Sequence, residues 1–147
     1  MQKEHFGYKE VGYKFVTGWK YVTPFEVNMF CDITDTQEDV FLRDDAAQAY
    51  GMKASIVPAL LIFTKLMSGL MDAGLTSEGL FIGINNAMFK TALHPYQRIR
   101  GEIEVLDRKV TSKGDRVTVH YSWKIKNEQD VLIADGSNTC MFPNPKQ

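Results

Sequence analysis

The chain has 147 residues and a formal net charge of −1, which fits a single domain and gives no support to a nucleic-acid-binding surface. A hydrophobic fraction of 44% beside 24% charged residues excludes an intrinsically disordered chain. The two cysteines, Cys31 and Cys140, are too few for a disulfide framework or a zinc site, so we expect a reducing compartment and no bound metal.

We expect residues 1–147 to form one domain, with short tails at residues 1–10 and 143–147. The first residues mix acidic and basic side chains and lead into no apolar run, so no signal peptide is expected. The longest apolar stretch, residues 56–63, contains Pro58 and is far shorter than the ~18 residues of a membrane span. These features predict a soluble, cytoplasmic protein.

The segment before Val22 is predicted to be extended. Its aromatic residues alternate, which places one set of rings on one face of a sheet. They are Tyr13, Phe15, Trp19 and Tyr21.

A helix start follows directly. Thr23 is suited to cap the free N–H groups, Pro24 fits the first helical position, and Glu26 stands where a capping-box partner belongs. We expect this helix to run to about Ile33. The acidic stretch 34–39 then predicts a loop.

Two further helices are predicted before the middle of the chain. Asp44 or Asp45 caps a short one over residues 46–50, and Gly51 ends it. The longer one begins near Pro58 and is apolar around most of its circumference, which is typical of a buried helix that another layer must wrap. Its narrow polar stripe consists of Thr64, Lys65, Ser68 and Asp72.

The second half of the chain supplies that layer. Apolar and polar residues alternate over residues 99–105 and 116–125, between a β-like run at 80–91 and a final strand at 131–142. Polar turns at 112–115 and 127–130 join the last three strands as hairpins. The predicted fold class is therefore α+β: a curved antiparallel sheet wrapped around a long central helix, the hot-dog architecture. We expect such a domain to form a homodimer.

The chain from about residue 11 to residue 142 resembles the MaoC-like hot-dog domains, the family of R-specific enoyl-CoA hydratases. Four features in this order carry the resemblance. They are Glu10-Val11-Gly12 before an aromatic strand, the capped helix 23–33, the run 44–51 leading to residues 56–61, and the segment 89–95 followed by Glu104-Val105-Leu106.

The sequence departs from the family in its catalytic motif, Asp-x-Asn-Pro-x-His. When Asp44 is aligned with the aspartate that follows the motif, the motif's histidine aligns with Leu42 and its catalytic aspartate aligns with Gln37. A shifted register puts an acid at Asp35 but gives no histidine anywhere in the loop. The family's glycine after the proline is Ala59 here, and its later Gly-Asp pair falls on residues 96–97.

The resemblance implies a site between this loop and the buried helix. Hydration of an enoyl thioester needs an acid–base pair, for which the loop offers Asp35, Glu38 and Asp39, with His94 as a further candidate. A solvated acidic loop without catalytic role is the alternative. The helix N-terminus is expected to bind the thioester through Ser55, Ile56, Val57, Pro58, Ala59 and Leu60.

The resemblance also implies that Lys90, Arg98 and Arg100 bind the phosphates of coenzyme A, against the alternative of a mixed-charge solvated face. The leading hypothesis is reversible hydration of an enoyl thioester by a non-standard acidic pair. A non-catalytic acyl-CoA-binding or partner subunit of a heteromeric hydratase, and an acyl-CoA thioesterase, remain open. The expected partners are an acyl-CoA thioester and a second hot-dog chain, with no nucleic acid, no membrane and no cofactor beyond the coenzyme A of the substrate.

Overall fold

One antiparallel sheet organises the chain, and the computed structural model describes residues 4–146 of it. The helices are α1 (Pro24–Thr34), α2 (Asp39–Leu42), α3 (Asp44–Ala49) and α4 (Ala59–Asp72). The strands are β1 (Lys14–Val16), β2 (Leu80–Phe89), β3 (Ile99–Val110), β4 (Arg116–Asn127) and β5 (Leu132–Pro143). The predicted α+β hot-dog fold is confirmed.

The strands lie in the order β1-β3-β4-β5-β2, so β2 returns from the helices to the far edge of the sheet. The inner face is apolar because every second residue of the strands points inward. On β4, for example, Tyr121 and Trp123 are fully buried, whereas Ser122 and Lys124 between them face outward.

Helix α4 packs against this inner face. Its residues Leu66 and Leu70 are buried, and the approach is so close that a Cβ on Gly101 of β3 would collide with the Leu66 side chain. The opposite flank of α4 is open: Leu60 is 59% exposed and Met71 is 67% exposed. The predicted buried helix is therefore wrapped on one side only. None of the helices within residues 4–146 has both the length and the hydropathy needed to cross a bilayer.

The start of α1 has the predicted capping box. Thr23 Oγ1 accepts a 3.1 Å hydrogen bond from the Glu26 N–H, and Glu26 Oε1 accepts a 3.0 Å bond from the Thr23 N–H. Pro24 occupies the first helical position, where a missing N–H costs nothing. The local sequence alone thus fixes where α1 begins.

The predicted first strand is largely wrong. Only β1 is regular strand, although Lys20 forms one further isolated bridge to β3. The ladder is interrupted at Thr17, whose hydroxyl accepts a 2.8 Å hydrogen bond from the Gly101 N–H in place of a backbone carbonyl. The alternating aromatics consequently do not share a buried face, and Trp19 and Tyr21 are exposed.

The segment predicted as an N-terminal tail is also different from expectation. Residues 1–3 lie outside the described residues, but Phe6 begins a 3₁₀ turn (Phe6–Tyr8) and is completely buried. At the other end, the Asn144 N–H donates a 2.9 Å hydrogen bond to the Asp115 carbonyl, so residue 144 is attached to the β3–β4 turn. Residue 147 lies outside the described residues.

Candidate functional site

The N-terminus of α4 is held in place by the extended segment that precedes it. Three consecutive N–H groups of this segment donate hydrogen bonds to three different parts of the fold, so its path is fixed from residue to residue. The bonds run from Ser55 to Asp44 Oδ1 (2.9 Å), from Ile56 to the Val40 carbonyl (3.2 Å) and from Val57 to the Leu93 carbonyl (2.8 Å).

These bonds determine which of the six residues predicted to bind substrate still have a backbone N–H group free to bind a ligand. The N–H groups of Ser55, Ile56 and Val57 are engaged, and Pro58 has none. Within residues 4–146, the Ala59 and Leu60 N–H groups form no hydrogen bond. Both groups belong to the first turn of α4, where N–H groups lack intrahelical partners and the helix dipole is positive.

A pocket of about 230 Å³ opens beside these two groups. Its walls are apolar, and its two hydroxyl groups bond to each other and to the backbone: Thr34 Oγ1 lies 2.7 Å from Thr36 Oγ1 and 2.6 Å from the Phe30 carbonyl that it donates to. No acidic side chain and no histidine lines it. The lining residues are Phe30, Thr34, Thr36, Phe41, Pro58, Ala59 and Leu60. We call this the α4 pocket.

The three acids predicted to be catalytic are all exposed and do not line the α4 pocket. Asp35 ends α1 in the left-handed conformation, with φ of 55°. Glu38 and Asp39 begin α2, and Asp39 lies 3.6 Å from the guanidinium of Arg43 one helical turn later.

Glu38 and Asp39 instead line a second, open groove of about 530 Å³ on the other side of α2. Because successive helical side chains point about 100° apart, Val40 faces this groove while Phe41 faces the α4 pocket. The groove runs towards α3, where Tyr50 is 77% exposed at its rim. The acidic groove and the α4 pocket are thus neighbours separated by one helix.

His94 lies behind the segment that positions α4, and it lines neither cavity. Its Nδ1 is 2.9 Å from the Ser55 carbonyl, which can only accept, so Nδ1 carries the hydrogen. Its backbone N–H donates a 2.8 Å bond to Gln97 Oε1. This geometry supports the position of Ser55 and brings no histidine into the α4 pocket.

The basic residues predicted to bind phosphate do not form one cluster. Lys90 follows β2 and lies 3.2 Å from Asp135, whereas the Arg100 guanidinium of β3 lies 4.5 Å above the Trp19 ring. Two strands separate β2 from β3, which corresponds to about 14 Å at the usual strand spacing. Arg98 is exposed in the loop that enters β3.

Neither cysteine is placed to act as a nucleophile at the α4 pocket. Both cysteines are buried, and burial raises the pKa of the Cys140 thiol to about 11, which keeps it protonated near neutrality. Among residues 4–146 there is no cluster of three or more histidine, cysteine, aspartate or glutamate side chains able to hold a metal ion.

The chain is similar to the MaoC-like dehydratase from Rhodospirillum rubrum, with a TM-score of 0.80, 17% identity and coverage of 93% of this chain and 95% of that one. It has the hot-dog fold of the MaoC-like dehydratases. The (R)-hydratase from A. caviae involved in PHA biosynthesis gives a TM-score of 0.75, 20% identity and coverage of 92% and 98%.

A third neighbour comes from a complex of two chains. The HadBC (3R-hydroxyacyl-ACP dehydratase) complex from Mycobacterium tuberculosis gives a TM-score of 0.77 at 12% identity, with coverage of 95% of this chain and 99% of that one. No family model and no curated protein sequence matches the chain. Identities in this range establish the MaoC-like hot-dog fold and not the reaction.

Sequence reasoning missed the aromatic walls of the α4 pocket. The sequence pattern assigns Phe30 to the predicted first helix and leaves Phe41 between the polar loop 34–39 and the short helix 46–50, so neither residue is predicted to face a pocket. The apolar triplet of residues 40–42 within an acidic segment was the available signal, since exposed loops rarely carry three large apolar residues in succession.

Proposed function

We propose that this chain is an acyl-thioester-binding hot-dog subunit whose α4 pocket has no acid–base pair of its own. The observation that carries the proposal is the composition of the α4 pocket: it lies where MaoC-like hydratases are expected to hold their catalytic pair, yet its walls are apolar and its hydroxyls are already bonded. This composition favours thioester binding without catalysis over hydration by an acidic pair.

The pocket has hydrogen-bond donors for the carbonyl oxygen of a thioester and an apolar wall for its acyl carbons. The carbonyl oxygen would accept hydrogen bonds from the Ala59 and Leu60 N–H groups, which form no hydrogen bond within residues 4–146. The acyl carbons would lie against Phe30 and Phe41, where removal of apolar surface from water contributes roughly 25 cal/mol per Å². Coenzyme A would then extend away from the pocket, with Arg98 or Arg100 as candidate phosphate ligands.

The partner is a second hot-dog chain that pairs with β2. This strand is hydrogen-bonded only to β5 within the described residues, and it carries no charged residue or proline to protect its free edge. Its large apolar side chains are exposed, among them Leu80 (57%), Ile82 (55%) and Met88 (61%). The partner is either a second copy of this chain or a different hot-dog chain that supplies the acid and base.

Hydration by the chain itself is the second candidate. Glu38 and Asp39 line one groove and follow one another in sequence, so both carboxylates are accessible to a substrate bound in that groove. This candidate requires the substrate's reacting carbons to reach across α2 into the acidic groove.

Two ligands distinguish the candidates. Butyryl-CoA, which has no double bond to hydrate, is expected to bind the purified chain in calorimetry. Crotonyl-CoA is expected to bind with similar affinity and to keep its enoyl absorbance. If the chain bound neither butyryl-CoA nor crotonyl-CoA, the proposal would be contradicted. Hydration that disappears in a Glu38→Gln/Asp39→Asn variant would establish the second candidate, and release of free thiol from butyryl-CoA would establish a thioesterase.

A further inference from the structure

His5 is a buried titratable residue that the α4 pocket does not use. It is only 3% exposed, and its ring stacks on Phe142 of β5 with centroids 4.8 Å apart and planes 11° apart. Its Nδ1 accepts a 2.9 Å hydrogen bond from the Gly7 N–H, which caps the 3₁₀ turn. An acceptor nitrogen carries no hydrogen, so this cap exists only when His5 is neutral.

The residue after it anchors the start of the chain in the core. Phe6 is completely buried and stacks on Tyr121 at 4.5 Å. Its N–H donates a 2.8 Å hydrogen bond to the Leu75 carbonyl, just beyond the C-terminal end of α4. Residues 5–9, which we call the N-terminal clamp, therefore join β4 and β5 to the end of the central helix.

Gly7 shows how tightly the clamp is built around the imidazole. A Cβ at this position would lie 2.6 Å from His5 Cε1, so only glycine fits against the ring. The Gly7 carbonyl also accepts a 2.8 Å bond from the Arg108 guanidinium. His5, Gly7 and Arg108 are thus linked by direct contacts.

The charges that face His5 oppose one another. Glu78 Oε2 lies 3.6 Å from Nε2 and, with Glu4, favours the protonated ring. Arg108, bonded to the Gly7 carbonyl, adds a positive charge to the clamp, and Lys9 lies 3.5 Å from Glu4. The faces contributed by Phe142 and Tyr8 are aromatic and bear no charge near neutrality.

We propose that the N-terminal clamp is a pH-sensitive latch: protonation of His5 Nδ1 turns the acceptor of the Gly7 N–H into a donor and releases Phe6 from the core. Burial lowers the pKa of His5 below its ordinary value of 6.5, despite the raising effect of Glu78 and Glu4. The neutral form is thus favoured in the folded clamp. Its stabilisation is complete above pH 6.5 and is lost as the pH falls below that value.

Amide exchange tests the latch without reference to activity. Between about pH 8 and about pH 5, the range in which histidines titrate, the protection factors of the Phe6 and Gly7 amides are expected to fall severalfold. Amides in the middle of β4 are expected to keep their protection, which excludes global unfolding. An unchanged protection of Phe6 and Gly7 across this range would overturn the proposal.

Two variants sharpen the test. In His5→Asn the side-chain oxygen can still accept from the Gly7 N–H but does not titrate, so the pH-dependent loss should disappear. In Glu78→Gln the larger of the two charges that favour protonation is removed, so the midpoint of the loss should move to lower pH. A His5→Asn variant with the same pH-dependent loss as the natural chain would show that His5 is not the switch.

Discussion

The indole Nε1–H of Trp123 donates a 3.0 Å hydrogen bond to Asn138 Oδ1 across the β4–β5 ladder, in the most deeply buried part of the sheet. Asn138 in turn donates a 3.0 Å bond to the Tyr121 hydroxyl. One amide therefore satisfies two polar aromatic side chains that face the central helix, and all three are completely buried. Burial also raises the pKa of the Tyr121 hydroxyl far above its ordinary value.

Replacing this amide should be costly. Asn138→Ala leaves the Trp123 N–H without a partner in the core, and an unsatisfied buried donor costs about 1–3 kcal/mol. We expect a correspondingly lower free energy of unfolding in urea, with the fold retained. Asn28→Ala on the exposed side of α1 is the control and should leave the free energy of unfolding nearly unchanged.

The ion pair between Glu26 and Lys65 predicts an acid-dependent loss of stability. Burial pushes the pKa of Glu26 up, but the bonds from Lys65 and Thr23 outweigh it, so the pKa lies below its ordinary value of 4.5. The folded state therefore gains stability above pH 4.5, and this gain is lost as the pH falls through the lowered pKa. Glu26→Gln, which keeps the capping oxygen, should lower the urea midpoint at neutral pH and not at strongly acidic pH.

A Lys65→Gln background provides the control for this effect. Without the ammonium group, Glu26→Gln should change the urea midpoint far less at neutral pH. An equal change in both backgrounds would show that the acid dependence comes from the helix dipole and the capping box alone, and not from the ion pair.

Filling the α4 pocket should prevent thioester binding. Leu60 is exposed and lines the pocket, so Leu60→Trp is expected to reduce the affinity for butyryl-CoA at least tenfold while leaving stability nearly unchanged. Met71→Trp is the matched control, since it adds the same ring to an exposed position at the other end of α4. Calorimetry of both variants checks the prediction, and equal affinities would place the binding site elsewhere.

A charge on β2 should separate the proposed hot-dog pair. The register between β2 and β5 shifts at Ile82, which has no direct partner on β5, so a substitution there spares the ladder. Ile82→Lys introduces the kind of side chain that protects natural edge strands, and we expect light scattering to give the mass of a single chain. Ile33→Lys, on an exposed position of α1, should keep the mass of the assembly.

Local patterns in the sequence predicted the parts of the fold that depend on local chemistry. The capping box at Thr23 and Glu26 located the start of α1, and strict alternation predicted β4 to within a few residues of its bounds. The prediction of a continuous first strand is wrong, because the interruption at Thr17 depends on a hydrogen bond from Gly101, which is remote in sequence.

The candidate site and the N-terminal clamp were harder to predict for the same reason. The burial of Phe6 depends on Tyr121 and Phe142, more than a hundred residues away, and no local pattern encodes that contact. The acidic stretch 34–39 is evident in the sequence, but its acidic side chains do not line the α4 pocket, because α2 lies between that pocket and the acidic groove. Which face of so short a helix is inward is decided by packing and not by its own sequence.

The position of β2 in the sheet also affects how the protein is made. The strand is complete at residue 89, but its neighbour β5 begins only at residue 132, so a nascent chain synthesised at roughly 5–20 residues per second carries an unpaired apolar strand for several seconds. The intervening strands β3 and β4 can pair with each other meanwhile, whereas β2 has no partner strand until β5 has been synthesised. Folding of the sheet is therefore completed by its last strand.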